Sequence, residues 1–293
     1  MLLQIFITYY GAVQYLGKAV DSVLEQSDGD WHLTILDDCF PGNEAREIVD
    51  QLNDGRIRYV KNETNLGISN TFNRCVELSE ADFLMIMGHD DALQPDFVAK
   101  AKSLCMEFGS ADIIQPGVSV IGSDGSPRTP LADLFKRAIS SKLPDDSKLS
   151  GDNLGRSLMI GNWAYFPSLL WRRETLQKYT FRPDFSICQD LQLISTIVLN
   201  SGSMVKNSEK IFQYRRHSKS LSAQAGQTGE IFEQERLLYS ELAADFASKG
   251  MPASAFWARA HPFSRLSALL LSLKALVVFD FLGFTRGLRH AIS

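Results

Sequence analysis

The sequence predicts an α/β fold built on a mostly parallel central sheet with helices on both faces. Short apolar runs alternate with stretches of helical periodicity through the first part of the chain, and a parallel strand buried on both faces is expected to be apolar without alternation. Polar clusters follow three of the runs directly: Tyr9-Tyr10, Asp37-Asp38 and His89-Asp90-Asp91. Ligands of such sheets bind at the carboxyl ends of the strands, so one crevice is expected to gather all three.

Leu2 to Ile7 reads as the first strand, and Leu16, Val20, Val23 and Leu24 then recur on one helical face. Leu33 to Leu36 is the second strand, closed by Asp37-Asp38 and the turn-forming Pro41-Gly42-Asn43. Ile57 to Val60 gives a third. After Asn65-Leu66-Gly67, a helix carries Ile68, Phe72, Cys75 and Val76 on one side. Phe83 to Met87 is the fourth run, stopped by Gly88. Between about 120 and 157 the composition turns to Ser, Asp, Gly, Pro and Lys, which predicts a long mobile excursion. Phe185 to Asn200 reads as a loop entering a helix, Val205 to Tyr214 as a closing strand, and Glu230 to Lys249 as an amphipathic helix.

The chain has 293 residues, 45% of them hydrophobic, enough for one substantial core and a smaller appendage. A formal net charge of -4 argues against nucleic acid as a partner, since phosphate backbones favour basic surfaces. Cys39, Cys75, Cys105 and Cys188 form no CxxC pair, so neither a zinc cluster nor a disulfide framework is indicated and a reducing cytoplasm fits. The opening MLLQIFITYYG lacks a basic n-region and a cleavage site and reads as strand and turn rather than a secretory signal. Adjacent carboxylates after a buried strand suit Mg²⁺ or Mn²⁺, which prefer oxygen ligands. Asp90 and Asp91 also fit the plainer role of marking a helix start before Pro95.

The succession IFITYYGAVQYLGKAVDSVLEQ, LTILDDCFPG, NETNLGISNTFN and FLMIMGHDDALQPDF resembles, in order and spacing, the nucleotide-binding half of inverting family 2 glycosyltransferases. Their GT-A fold is Rossmann-like. Weaker matches continue to about residue 222. The resemblance implies a GT-A domain over 1–225, with a nucleotide-binding half (1–100) and an acceptor-binding half (101–225), followed by a helical C-terminal extension over 226–293.

It also implies roles. Tyr10 corresponds to the aromatic residue that stacks on the donor base, with Thr8 and Asn65 as neighbouring nucleotide contacts. Asp38 matches the acid that accepts the base N3–H, which favours uracil or thymine. Asp90 corresponds to the contact with ribose or metal, and Asp91 to the direct metal ligand. Tyr214-Arg215-Arg216-His217 with Ser220 and Ser222 resembles the family's Tyr-Arg-X-His-X-X-Ser-X-Ser segment, which makes His217 a metal ligand or diphosphate contact and Arg215 and Arg216 diphosphate-binding residues. Gln189-Asp190 resembles the Glu-Asp pair that supplies the catalytic base, here Asp190. Two positions depart from the pattern: Gly88 replaces the first Asp of Asp-X-Asp, and Phe72 stands where many relatives carry an arginine. Trp163 and Trp171 read either as a sugar-binding wall or as core.

The function implied is inverting, metal-dependent transfer of a sugar from a UDP- or dTDP-sugar to a hydroxyl acceptor, a glycan or glycolipid, in surface polysaccharide or glycolipid synthesis, with Mg²⁺ or Mn²⁺ as cofactor. A noncatalytic nucleotide-sugar or glycan-binding module competes with it, encouraged by Gly88 and Phe72. A nucleotidyltransferase would open on a glycine-rich loop, whereas Phe6 to Tyr15 holds only Gly11. Ala268 to Phe284 is short for a span of about 20 apolar residues, and Lys274 and Asp280 within it argue further against one. With Arg265, Arg286 and Arg289 beside it, this tail fits an anionic membrane surface, and it fits packing on the domain or in a homo-oligomer equally well. A cytoplasmic location is expected, either free or peripheral at the inner face of the membrane.

Overall fold

The structure is a computed structural model that describes all residues except 12, 219, 221–224, 226–229, 278–280 and 293; the side chains of 273–277, 281–284, 286 and 287 also lie outside it. Strands β1 (Leu3–Tyr9), β2 (Trp31–Asp37), β3 (Ile57–Lys61) and β4 (Phe83–Gly88) lie side by side in the order β3-β2-β1-β4, all parallel. Helices α1 (Val13–Leu24), α2 (Glu44–Leu52) and α3 (Ile68–Leu78) connect them. The buried residues of α1 are Leu16, Ala19, Val20 and Val23, an i, i+3, i+4, i+7 stripe that faces the sheet.

Beyond β4 the sheet is mixed. β8 (Leu170–Arg172) runs antiparallel to both β4 and β6 (Ile113–Ile121). β6 is parallel to β9 (Ser203–Arg215), and β9 is flanked in antiparallel fashion by β5 (Ala92–Leu93) and β7 (Ser147–Ser150). The β6–β9 register shifts on either side of Gly117, where an added Cβ would lie 2.4 Å from the Ser208 carbonyl oxygen. Only a residue without a side chain permits that approach of the two backbones.

Alternate strand residues point to opposite faces, and each face has its own core. Leu3, Ile5 and Ile7 pack with α1 and α4 (Phe97–Glu107). Phe6, Leu84 and Ile86 pack on the other side with α3, α6 (Gly151–Ile160) and α8 (Gln189–Leu199). Trp163 and Trp171 are fully buried in this second core, so they build the fold rather than a sugar-binding wall. Phe72 is in the same core, stacked on Phe166 at 4.6 Å and edge-on to Phe181.

The segment expected to be a mobile excursion instead folds as α5 (Leu131–Ser140), β7 and α6. Its Ser, Gly and Pro residues punctuate short elements rather than prevent them. The C-terminal helices are α9 (Glu230–Ser248), α10 (Pro252–Ala260), α11 (Pro262–Val277) and α12 (Phe281–Ile292). Leu238, Leu242, Phe246, Ala255 and Ala258 of α9 and α10 join the core of α6 and α8. The Asp152 carboxylate of α6 accepts the backbone N–H groups of Ala253 and Ser254 at 3.0 and 2.7 Å, capping α10 from outside its own sequence. The apolar run from Ala268 is divided between α11 and α12, and among the described residues no helix is long and apolar enough to cross a membrane.

Candidate active site

Strand register aligns three of the expected residues. Thr8 of β1 is level with Leu36 of β2 and Gly88 of β4, so two residues further on, Tyr10, Asp38 and Asp90 leave the sheet in step. The order β2-β1-β4 places β1 where the winding of the sheet reverses, and a crevice opens at such a point. β9 ends beside it: Ile121 pairs with Arg215, and Ala92 with Gln213.

On the β1–β2 side, Tyr10 is 55% exposed and stands edge-on to Phe40 at 5.4 Å, a face left open for a planar ligand. Asp38 is buried. Its Oδ1 accepts Asn62 Nδ2 at 2.9 Å and the Leu66 N–H at 2.8 Å, and its Oδ2 accepts the Gly67 N–H at 3.0 Å. Asp38 thereby fixes the turn that leads into α3, within which Asn65 Oδ1 also accepts the Gly67 N–H. Thr8 is half-buried in β1.

On the β4 side, the two carboxylates converge over Gly88. A Cβ there would lie 2.5 Å from Asp90 Oδ1 and 3.3 Å from Asp91 Oδ2, so the glycine that departs from Asp-X-Asp makes the room both carboxylates occupy. Asp90 Oδ2 lies 2.7 Å from His217 Nε2. The His217 ring is stacked on Tyr15 at 5.0 Å, and its Nδ1 is buried with no hydrogen-bond partner among the described residues. Burial works to raise the Asp90 pKa, but the His217 hydrogen bond and the nearby His89 and His217 charges outweigh it and hold the group below the usual carboxylate range.

Asp91, expected as the direct ligand, lies deeper. It is 1% exposed, its Oδ1 accepts the Arg215 N–H at 2.9 Å, and burial followed by the Asp90 charge pushes its pKa well up. Asp90 and Asp91 offer the carboxylate oxygens that Mg²⁺ or Mn²⁺ prefers, and His217 Nε2 is a nitrogen donor beside Asp90 Oδ2. Among the described residues no group of three or more His, Cys, Asp or Glu is arranged to hold a metal ion, so a cation here would need ligands from substrate phosphate or water as well.

The two arginines differ. Arg215 is buried and turned inward, with Nε on the Asp90 carbonyl at 2.6 Å and Nη1 on the Gly122 carbonyl at 3.1 Å. Its guanidinium, expected on a diphosphate, braces the loop that carries Asp90. Arg216 is the more accessible cation. It lines a cavity of about 420 Å³ with Ser123, Arg128 and Thr129, and its guanidinium grips Asp133 in a two-pronged pair at 2.9 and 3.1 Å. Ser220 donates its backbone N–H to the His217 carbonyl at 3.2 Å, while Ser222 lies outside the described residues.

Asp190 is the second residue of α8, two positions inside the cap position held by Cys188. Its Oδ1 accepts the Leu191 N–H at 2.7 Å and its Oδ2 accepts Asn162 Nδ2 at 3.1 Å. Burial pushes its pKa up, against the Lys136 charge and these hydrogen bonds. Lys136 Nζ donates to the Ala164 carbonyl at 2.6 Å and lies 4.6 Å over the Tyr165 ring, and burial pulls its pKa down to about 8 against the Asp190 charge. Tyr165 in turn donates to Asp133 Oδ1 at 2.8 Å. The sequence reading passed over Asp133, Lys136, Asn162 and Tyr165. The i, i+3 spacing of Asp133 and Lys136 beside Leu131, Leu134 and Phe135 was the available signal of a helix with a polar face.

Comparison with known proteins shows that the chain belongs to glycosyl transferase family 2, whose model matches residues 4–167. A Bacillus subtilis protein that carries the name teichuronic acid biosynthesis glycosyltransferase TuaG is 30% identical over 148 residues, half of this chain. The chain spans 56% of that relative's length. Among solved structures, residues 1–349 of S. aureus TarS in complex with UDP-GlcNAc superpose with a TM-score of 0.64 at 14% identity, covering 97% of this chain and 89% of that one. A mannosyltransferase from Pyrobaculum calidifontis in complex with GDP-Man and Mn²⁺ gives a TM-score of 0.59 at 11% identity, covering 99% and 86%.

Proposed function

We propose that this family 2 member transfers a sugar from a nucleotide-diphosphate donor, a UDP- or dTDP-sugar, to a hydroxyl of a glycan or glycolipid acceptor, with inversion. The observation that carries the reading is the meeting of Asp90 with His217, and of Asp90 with Asp91 over Gly88, at the carboxyl edge of the parallel strands. Tyr10 stacks on the base, with Thr8 and Asn65 beside it, and Asp38 accepts the N3–H through a remaining lone pair. A divalent cation held by Asp90, His217 and Asp91 would neutralise the departing diphosphate. Arg216, held by Asp133 at the neighbouring cavity, is the cation that would meet the diphosphate, and Arg215 keeps the Asp90 loop in place.

Asp190 takes the acceptor proton. The freed oxygen attacks the anomeric carbon opposite the diphosphate, and the new C–O bond forms as the bond to the diphosphate oxygen breaks. A single displacement inverts the centre and needs no covalent glycosyl-enzyme. The raised pKa of Asp190 suits a general base, since a stronger base is better driven to take the proton.

The TuaG name and the TarS complex with UDP-GlcNAc support a UDP-sugar and a surface polysaccharide or glycolipid pathway, and the Mn²⁺ complex supports a metal. A hydrolysis and thermal-shift screen of nucleotide sugars with Mn²⁺ and Mg²⁺ tests this. Metal-dependent release of UDP or dTDP is the expected result. Donor binding without any turnover across hydroxyl acceptors would leave a noncatalytic binding module.

A further inference from the structure

Two helices beside the acceptor-binding half present leucines to solvent. On α5, Leu131 and Leu134 are exposed, the former by 56%, while Asp133 and Lys136 of the same helix point inward. On α11, Leu266, Leu269 and Leu270 are exposed, the last by 43%. The two helices meet where Phe135 of α5 packs on Phe263 of α11 at 5.5 Å; Leu131 lies one helical turn from Phe135 and Leu266 one turn from Phe263, with Leu269 and Leu270 one turn beyond Leu266. A contiguous apolar surface of this kind marks an interaction site rather than ordinary scatter.

Charge selects the partner. The only acid on α5 or α11 is Asp133, which is buried and paired with Arg216. Arg137, Arg259 and Arg289 are exposed. From 250 to 293 the chain carries Arg259, Arg265, Lys274, Arg286 and Arg289 against one acid, Asp280, although its overall charge is -4. Exposed leucines on helices that bear cations and no free acid match an anionic bilayer surface, where apolar side chains enter the acyl boundary and Lys or Arg meet the headgroups. We infer that the α5–α11 face docks on an anionic membrane, with the acceptor side of the site held close to it.

The test is flotation of the full chain with phosphatidylcholine vesicles, with and without phosphatidylglycerol. The wild type is expected to float with the anionic vesicles, and to be released by high salt or by omission of the anionic lipid. The double substitution Leu269→Asp with Leu270→Asp, and separately Leu131→Asp with Leu134→Asp, should each lower the bound fraction by about tenfold, with melting temperature and UDP affinity as checks on folding. Three results overturn the inference: no flotation of the wild type with anionic vesicles, unchanged flotation of both folded variants, or a wild-type dimer in light scattering that the α11 variant abolishes. Vesicle binding is read without donor or acceptor, so its failure and failure of the transferase reading are separate results.

Discussion

Asp90 Oδ2 lies 2.7 Å from His217 Nε2 although the two residues are 127 positions apart in the chain. Gly88 sets that contact as much as its partners do, because a Cβ at 88 would press within 2.5 Å of the other Asp90 oxygen. Gly88→Ala should therefore displace the Asp90 carboxylate while leaving the strand paired. The expected result is a loss of about tenfold or more in Mn²⁺-dependent UDP affinity, with metal-free affinity little changed. His217→Ala should do the same. Calorimetry of UDP binding with and without Mn²⁺ checks both, and wild-type metal dependence in the two variants would place the cation elsewhere.

Tyr10 and Asp38 should separate affinity from stability. Tyr10 is exposed, so Tyr10→Ala should weaken UDP by about tenfold, within the ~1–3 kcal/mol typical of base stacking on an aromatic, at an unchanged melting temperature. Asp38→Ala should lower the melting temperature, since the Asn62 amide and the Leu66 N–H lose their acceptor and the Gly67 N–H keeps only Asn65. If the base is uracil or thymine, UDP and dTDP bind more tightly than GDP or CMP. Tighter GDP binding would remove Asp38 from the base.

β1, β2 and β4 were readable because parallel strands buried on both faces are nearly uninterrupted apolar runs, and the polar residues that end them are where the crevice forms; the edge strand β3, only partly buried, showed itself by Ile57, Tyr59 and Val60. Side-chain direction was not readable. Arg215 and Arg216 form one basic cluster in sequence, yet the Asp90 and Gly122 carbonyls draw the first inward and Asp133 holds the second at the cavity. Asp133 and Lys136 were hidden because their partners lie 28 to 83 residues away and because Ser, Gly and Pro on either side of α5 disguised a ten-residue helix. The sheet beyond β4 was equally obscure, since a three-residue strand such as β8 is too short to show a period.

Asp152 tests whether the C-terminal helices are integral to the domain. Burial works to raise its pKa, but the Ser254 hydrogen bonds and the Ala253 N–H prevail and lower it. A depressed carboxylate contributes stability above its unfolded pKa, and that contribution is lost as pH falls through the folded value. Asp152→Ala should cost roughly 1–3 kcal/mol at neutral pH. The difference from wild type should shrink as the pH drops below the ordinary carboxylate range. Denaturant titrations at several pH values measure it; a neutral substitution would mean that α10 does not depend on this cap.

Asp190 is the carboxylate on which the chemistry is proposed to turn, and its surroundings set the sign of a pH effect. Burial raises its pKa while Lys136 and the Asn162 hydrogen bond oppose the rise. A general base works deprotonated, so transfer should increase with pH through a limb lying above the usual carboxylate range. Lys136→Met removes the opposing charge and should move that limb to higher pH, whereas a purely structural lysine would lower stability without moving it. Asp190→Asn keeps the shape and can still accept from Asn162 or Leu191, but it cannot take a proton. Transfer should fall by about 10²-fold or more with donor affinity nearly unchanged, because the base faces the acceptor. Measured together, transfer rate, UDP-sugar affinity and melting temperature separate the outcomes. Near-normal transfer by the Asn variant assigns the base to another residue, and joint loss of donor binding and transfer moves Asp190 to the diphosphate side of the site.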